Sequence, residues 1–301
     1  MDSLEIVVMR SDGTRRDEGA FPRLSVLIAT YNAAVTLDRC LQSVFGQRDV
    51  QIEVLIADGG SSDDTLDILK KYESKLAFFT SEADRGVYDA WNKLVSIARG
   101  SWVIFLGADD IFSNDFSLRD ALNEIECFED DVDIGYVYGQ VELVDGEQVI
   151  ETFGVQNWPS DSSRLKLAWP FSHTGLFHRR ELFIRYGLFD FSYKIAGDFE
   201  FVTRSLLDGS VKIAKMEVAV AKMAAGGMST SARSRVKGYG EVLRARRQFG
   251  LRPPVPGWLF ALLFKSYAAY YLQRIAGRRT LLLVSNAYRM VRNRKRRMSY
   301  N

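Results

Sequence analysis

The chain has little that could cross-link it or hold a soft metal. Among 301 residues there are two cysteines and two histidines. Cys40 and Cys127 fall in segments that read as helices, with no Cys-x-x-Cys pair and no Cys/His cluster. They point to buried packing in a reducing compartment rather than to a disulfide. No stretch approaches the ~20 uninterrupted apolar residues of a bilayer span. The charged opening, Met1 to Arg23, lacks the apolar core of a secretory signal. Internal repeats and low-complexity tracts are missing too. No Gly-x-Gly-x-x-Gly follows the first convincing strand, which sets aside a Rossmann dehydrogenase. With 47% hydrophobic residues the chain can still build a sizeable core, as one large α/β domain or as a domain with an extension.

A net charge of +2 conceals a division along the chain. Up to Gly227 there are 23 basic and 37 acidic residues, a balance of −14; beyond it stand 17 Lys/Arg and one acid, Glu241, a balance of +16. The basic part holds Arg244-Ala245-Arg246-Arg247, a break at Pro253-Pro254-Val255-Pro256-Gly257, then Trp258 to Lys265 with Tyr267, Tyr270 and Tyr271 following. Aromatic and basic residues on one helix suit an anionic membrane surface, where each Lys/Arg adds roughly 1 kcal/mol. Packing on the rest of the chain, or a homo-oligomer contact, is the competing reading. Nucleic acid is not expected as a partner. The chain divides into an N-terminal arm (1–22), a main domain (23–227) and a basic amphipathic helical extension (228–301).

Three apolar runs in the main domain end in polar groups. Ser101 to Leu106 reads as a strand buried on both faces, since it is a continuous apolar run rather than an alternation. It ends in Gly107-Ala108-Asp109-Asp110. Leu24 to Thr30 runs into Tyr31-Asn32, and the periodic segment Val35 to Phe45 reads as a helix. Ile52 to Ala57 runs into Asp58-Gly59-Gly60-Ser61-Ser62-Asp63-Asp64-Thr65, turn and cap chemistry ahead of a helix through Leu66, Leu69 and Tyr72. Strand, helix, strand, helix with short links predicts a parallel sheet, and ligands bind at the carboxyl ends of such strands. Two adjacent carboxylates repel, and a shared cation resolves the conflict. An exposed Asp-Asp turn is the alternative.

These segments resemble family 2 glycosyltransferases of the GT-A fold. The likeness lies in Leu24 to Asp64, in Asp84-Arg85-Gly86-Val87-Tyr88-Asp89-Ala90-Trp91-Asn92-Lys93, and in the acidic Gly107-Ala108-Asp109-Asp110. His173-Thr174-Gly175-Leu176-Phe177 and Ala196-Gly197-Asp198-Phe199-Glu200 extend it to about Leu207. The resemblance implies a Rossmann-like, mostly parallel sheet flanked by helices. It implies metal-dependent, inverting transfer of one sugar from a nucleoside-diphosphate sugar, UDP-linked, to a glycan or lipid-linked acceptor in polysaccharide biosynthesis. The Gln-x-x-Arg-Trp order of processive members is absent, so one sugar per encounter is expected. Gly13-Thr14-Arg15-Arg16 only faintly resembles a nucleotidyltransferase loop, and Leu4 to Arg10 reads as a peripheral strand.

By the same resemblance, Asp110 binds Mg²⁺ or Mn²⁺ with Asp109, which also faces the ribose or a metal-bound water. Thr30, Tyr31, Asn32 and Asp58 line the nucleoside pocket; the alternative for Asp58 is a helix cap. Arg85 pairs with phosphate oxygens through its guanidinium fork, unless it is an exposed loop residue. Asn92 shares a helix face with Asp89, toward sugar or core. Asp198 takes the proton of the acceptor hydroxyl as general base, or caps a helix. Glu200 is the substitute for it near the acceptor or diphosphate. His173 sits there too, or is a core histidine, while His178, beside Arg179-Arg180, reads as solvated. Trp158, Trp169 and Phe171 suit packing under a loop better than a sugar platform. The expected location is cytoplasmic, peripheral at the inner face of the cell membrane. The contrasting reading is a catalytically inactive nucleotide-sugar-binding module that serves as an assembly subunit.

Overall fold

A computed structural model describes residues 22–128, 130–158, 169–225 and 232–251. The arm expected over 1–22 lies outside these residues apart from Pro22, as do the aromatic run from Trp258 and everything else beyond Leu251. The chain begins β1 (Leu24–Thr30), α1 (Leu37–Phe45), β2 (Ile52–Asp58), α2 (Thr65–Tyr72), β3 (Phe78–Ser81), α3 (Val87–Val95) and β4 (Trp102–Gly107). It continues through β5 (Ile111–Phe112), α4 (Ser117–Glu126), β6 (Ile134–Asp145) and β7 (Gln148–Phe153). A single 3-10 turn, His173–Gly175, then leads into β8 (Leu176–Arg179), α5 (Glu181–Tyr186), α6 (Gly197–Leu206), β9 (Lys212–Ala224) and α7 (Ala232–Gln248).

One sheet takes the order β3-β2-β1-β4-β8-β6-β9-β5, with β7 paired to β6. Strands β3, β2, β1 and β4 are mutually parallel, whereas β8 runs antiparallel to both β4 and β6. The chain moves outward from β1 through β2 to β3 and then returns to add β4 on the other side. That reversal makes the carboxyl ends of β1 and β4 a topological switch point, where open α/β sheets leave a crevice.

Period-two alternation distributes the core over both faces of the sheet. Leu24, Val26 and Ile28 of β1, with Trp102, Ile104 and Leu106 of β4, pack beneath Leu37, Cys40, Leu41 and Val44 of α1 and the apolar sides of α2 and α4. Leu27, Val103 and Phe105 face Tyr88, Leu94 and Val95 of α3 and Phe199, Phe201 and Val202 of α6. Every residue of β1 except Ala29 is buried, so the continuous apolar run reflects helices on both sides.

Two expectations from sequence are corrected here. His178 is not solvated but fully buried, because β8 lies inside the sheet between β4 and β6. Its ring sits among Phe105, Tyr136, Phe183 and Phe201. Cys127 is exposed rather than packed, since it stands just past the last turn of α4, whereas Cys40 is buried as expected. At the start of the basic extension, α7 packs against α6, and Ala245 is fully buried.

Candidate active site

The loops after β1 and β2 are stitched together by side chains. Asn32, held at φ 47°, donates its N–H to Ser61 Oγ at 2.7 Å, and its Oδ1 accepts the Ser62 N–H at 2.9 Å. Ala33 N–H bonds Thr65 Oγ1 at 2.8 Å, and Ala34 N–H bonds Asp63 at 3.1 Å. Beneath them lies Asp58, only 1% exposed. Its Oδ2 accepts the N–H groups of Gly60 and Ser61 at 3.1 and 2.9 Å and the Ser81 hydroxyl at 2.6 Å, while Oδ1 takes the Ser61 hydroxyl. The carboxylate thereby fixes the loop floor, with Oδ2 taking three donors and Oδ1 one. Thr30, paired in register with Asp58, carries a buried hydroxyl with no hydrogen-bond partner. Tyr31 is 65% exposed at the rim.

At the end of β4 the chain turns through Gly107 to Asp110, whose N–H bonds the Gly107 carbonyl at 3.0 Å. A side chain at Gly107 would meet an oxygen of Asp109 and an oxygen of Asp110, each at 2.8 Å. The two carboxylates therefore converge over the one residue that leaves them room. Asp110 is 5% exposed and accepts hydrogen bonds from the Thr174 hydroxyl at 3.2 Å and the Ala224 N–H at 3.3 Å. Burial, with the neighbouring Asp109 adding repulsion, pushes its carboxyl up to about 7. Beneath them Cys40 donates to the Gly107 carbonyl at 3.5 Å, and burial and both carboxylates raise its thiol.

Among the described residues, no group of three or more His, Cys, Asp or Glu could enclose a metal. The pair does fit a hard divalent ion of the Mg²⁺ or Mn²⁺ kind. Such ions take one or two protein carboxylates and complete their shell with substrate phosphates and water. A buried carboxylate crowded by a second one is also the environment that a cation relieves.

The His173–Gly175 turn joins this doublet to the opposite wall. Thr174 bonds Asp110 as described, and the preceding His173 stacks on Phe105 at 5.2 Å and lies 5.2 Å from Trp91. Burial holds the imidazole below its usual value, against an upward pull from Asp198, and His173 Nε2 is buried without a partner. Asp198 begins the second position of α6. Its Oδ1 accepts the Phe199 N–H at 2.9 Å and the Tyr88 hydroxyl at 3.1 Å. Tyr88, from α3, also reaches the Ile195 carbonyl at 2.8 Å, and burial followed by the Asp198 charge raises its phenol well above normal. Gly197 lets this ring close in, since a Cβ there would lie 2.8 Å from it.

Three of the expected residues have other work. Asn92 takes the core side of its two readings: Nδ2 donates to the Phe189 carbonyl and Oδ1 accepts the Phe189 N–H, both at 2.9 Å. Glu200 is likewise engaged within the fold. It is 2% exposed, and its two oxygens hold the Arg204 guanidinium at 2.9 and 3.1 Å, one turn further along α6. Arg85 stays accessible, but Asp89 grips its guanidinium at 2.9 Å and Phe191 lies beneath it at 3.6 Å. Trp169 stacks between Phe171 and Phe199, each at 5.1 Å, in the packing role expected of it.

Thr174, Ser61 and Ser81 are site residues the sequence did not single out. Thr174 could have been found, because it lies inside a segment already marked by His173. The structure thus brings Thr30, Asn32, Asp58, Asp109 and Asp110 to the carboxyl ends of adjacent strands, with His173 and Asp198 across from them.

The comparisons bear on the family and on the fold. The model of the family described as glycosyl transferase family 2 matches residues 25–189. A PGL/p-HBAD biosynthesis glycosyltransferase of Mycobacterium bovis (strain BCG / Pasteur 1173P2) is 32% identical over 207 residues, covering 67% of this chain and 77% of that protein. Among solved structures, Staphylococcus aureus TarS 1-349 in complex with UDP-GlcNAc superposes with a TM-score of 0.56 at 19% identity, covering 75% of this chain and 73% of that one. The chain spans 44% of the longer TarS chain. The mannosyltransferase PcManGT of Pyrobaculum calidifontis, in complex with GDP-Man and Mn²⁺, gives a TM-score of 0.54 at 20% identity, covering 89% and 74%. At these identities the two structural likenesses bear on the fold.

Proposed function

The chain belongs to glycosyl transferase family 2, and from that premise we propose that it transfers one sugar, with inversion, from a nucleoside-diphosphate donor to an acceptor hydroxyl. The donor is UDP-linked, and the acceptor is a glycan or a lipid-linked glycan in polysaccharide-type biosynthesis. One observation carries the reading. The His173–Gly175 turn contacts the buried carboxylate Asp110 through Thr174 and, through His173, the Trp91 and Tyr88 rings that lead to Asp198, so one run of side-chain contacts links the acid pair to the lone acid.

In this reading the stitched β1 and β2 loops receive the nucleoside, with Thr30, Asn32 and Tyr31 around it and Asp58 bracing the floor. Asp109 and Asp110 would hold Mg²⁺ or Mn²⁺. When bound, such an ion neutralises the charge that gathers on the β-phosphate as the sugar leaves. Asp198 is oriented through Oδ1 by Tyr88 and by the first turn of α6, whose dipole favours a carboxylate there. Its other oxygen takes the proton of the acceptor's hydroxyl while the hydroxyl oxygen itself attacks the anomeric carbon. The C–O bond to the phosphate breaks, and the nucleoside diphosphate departs with the bonding pair. Arg85, exposed and paired with Asp89, would exchange that partner for a phosphate oxygen.

The stretch beyond α7, with 11 Lys/Arg and no acid, supports a peripheral location at the inner membrane face. No helix among the described residues is long and apolar enough to cross a membrane. The function is tested by nucleotide release across a panel of UDP-sugars with Mn²⁺, using wild type and Asp198→Asn. Turnover of one donor by wild type, with binding but no turnover in the variant, is expected. Binding of nucleotide with no donor ever consumed by wild type would instead make the chain a binding module.

A further inference from the structure

Helix α7 turns one face toward the loop that leads into Asp198. Gly238, Glu241, Arg244, Ala245 and Gln248 recur at three- and four-residue steps and share that face. Arg244 stacks over Tyr193 at 4.2 Å and donates to Ser192 Oγ at 2.6 Å, and Gln248 accepts from the Tyr193 hydroxyl at 3.2 Å. Gly238 allows the approach, since a Cβ there would lie 3.1 Å from Ile195.

Glu241 is placed differently from these neighbours. Its Oε2 accepts three consecutive backbone N–H groups, Lys194 at 3.0 Å, Ile195 at 2.8 Å and Ala196 at 2.9 Å, while Oε1 accepts Lys194 again at 3.1 Å. Successive N–H groups aimed at one point form an anion-binding nest, and here the chain fills it with its own carboxylate. No other acid is available, because Glu241 is the sole one after Gly227. The consequence reaches the site through one peptide unit. The Ala196 N–H goes to Glu241, and the Ile195 carbonyl of the same planar unit accepts the Tyr88 hydroxyl at 2.8 Å. That hydroxyl also meets Asp198 Oδ1 at 3.1 Å, and Ala196 directly precedes α6.

We propose that Glu241 is a positioning residue for sugar transfer: it clamps the Ile195–Ala196 peptide and so sets both Tyr88 and the carboxylate of Asp198. This rests on the reading of Asp198 as the base. Glu241→Gln keeps one acceptor oxygen but loses the charge and sets an NH2 donor against the Lys194 N–H, which loosens the nest and frees the loop to shift. A displacement of about 1 Å at a reacting group costs on the order of 100-fold in rate.

The test uses the full chain in five forms: wild type, Glu241→Gln, Glu241→Asp, Asp198→Asn and, as a control on the same helix face, Arg244→Ala. Turnover is followed as nucleotide release from the donor that wild type consumes, and amide hydrogen exchange is read over residues 190–200. The expected result is a kcat about 10- to 100-fold lower in Glu241→Gln with donor KM within about twofold. Faster exchange at Lys194 to Ala196 and partial recovery in Glu241→Asp are expected with it. Arg244→Ala should lower the melting temperature while kcat stays near wild type. If Asp198→Asn is inactive yet Glu241→Gln keeps the wild-type kcat, the positioning role is overturned and the base stands. A Glu241→Gln rate that falls only in proportion to the folded fraction also overturns it. If Asp198→Asn turns over like wild type, the base assignment falls and takes this proposal with it.

Discussion

Adding one methyl group at Gly197 has a consequence that can be worked from distances. A Cβ on Gly197 would sit 2.8, 2.9 and 3.0 Å from three ring carbons of Tyr88, where unstrained carbons stay about 3.5–4.0 Å apart. The ring has no room to retreat. Its hydroxyl is tied to Ile195, and Phe189 and Trp91 lie at 5.5 and 5.6 Å on its flanks. Overpacking of this kind costs about 1–3 kcal/mol, and the better helix propensity of alanine returns up to ~1 kcal/mol. A net loss of about 1–2 kcal/mol is expected, lowering the melting temperature by about 2–6 °C. Gly240→Ala serves as the opposite case, because a Cβ on that residue of α7 meets nothing within 4 Å. There the propensity gain is uncompensated, and stabilisation of about 0.5–1 kcal/mol follows. Thermal unfolding of the two variants beside wild type reads both signs. Gly197→Ala melting at or above wild type would refute the idea that Tyr88 is wedged against α6, and with it the account of how Asp198 is held.

Other perturbations separate scaffold from site. Glu200→Ala should cost about 1–3 kcal/mol in chemical denaturation, because two charge-assisted bonds to Arg204 are lost while the guanidinium keeps the Tyr186 and Leu188 carbonyls; no measurable loss would return Glu200 to the candidate site. His178 is buried with neither ring nitrogen hydrogen-bonded, and burial with help from His173 holds it well below its usual value. The unfolded chain then binds the proton first, so stability is full above about pH 6.5 and falls as pH drops below it, at up to ~1.4 kcal/mol per unit. His178→Phe should raise stability and flatten melting temperature between pH 7.5 and 5.5, while an unchanged slope would contradict this. A thiol reagent should label Cys127 in the folded protein and Cys40 only after unfolding; equal rates would mean α1 is not packed as described.

Sequence carried the sheet's parallel half and the crevice because those features are local. Runs such as Leu24–Thr30 and Trp102–Gly107 are apolar throughout, and the acids and turn residues follow them directly. Much of what it missed is long-range. His178 looked solvated because two arginines follow it, but residues from Trp102 to Ile104 and from Tyr136 to Tyr138 flank its strand on either side. Asn92 shares a helix stripe with Asp89, yet its amide serves Phe189, 97 positions away. Glu200 did carry a signal, an arginine four residues on, which is the spacing of an ion pair on a helix. Glu241 was visible as the lone acid of a basic stretch; its use emerged only when α7 met a loop 45 to 47 residues earlier.

The central claim is that Asp109, Asp110 and Asp198 serve one reaction from opposite sides of one crevice. A crystal of the full chain soaked with UDP-sugar and Mn²⁺ tests it most directly. The account predicts the diphosphate and ion against Asp109 and Asp110, with the anomeric carbon turned toward Asp198. Nucleotide bound away from the ends of β1 and β4, or a sugar facing away from Asp198, would contradict it.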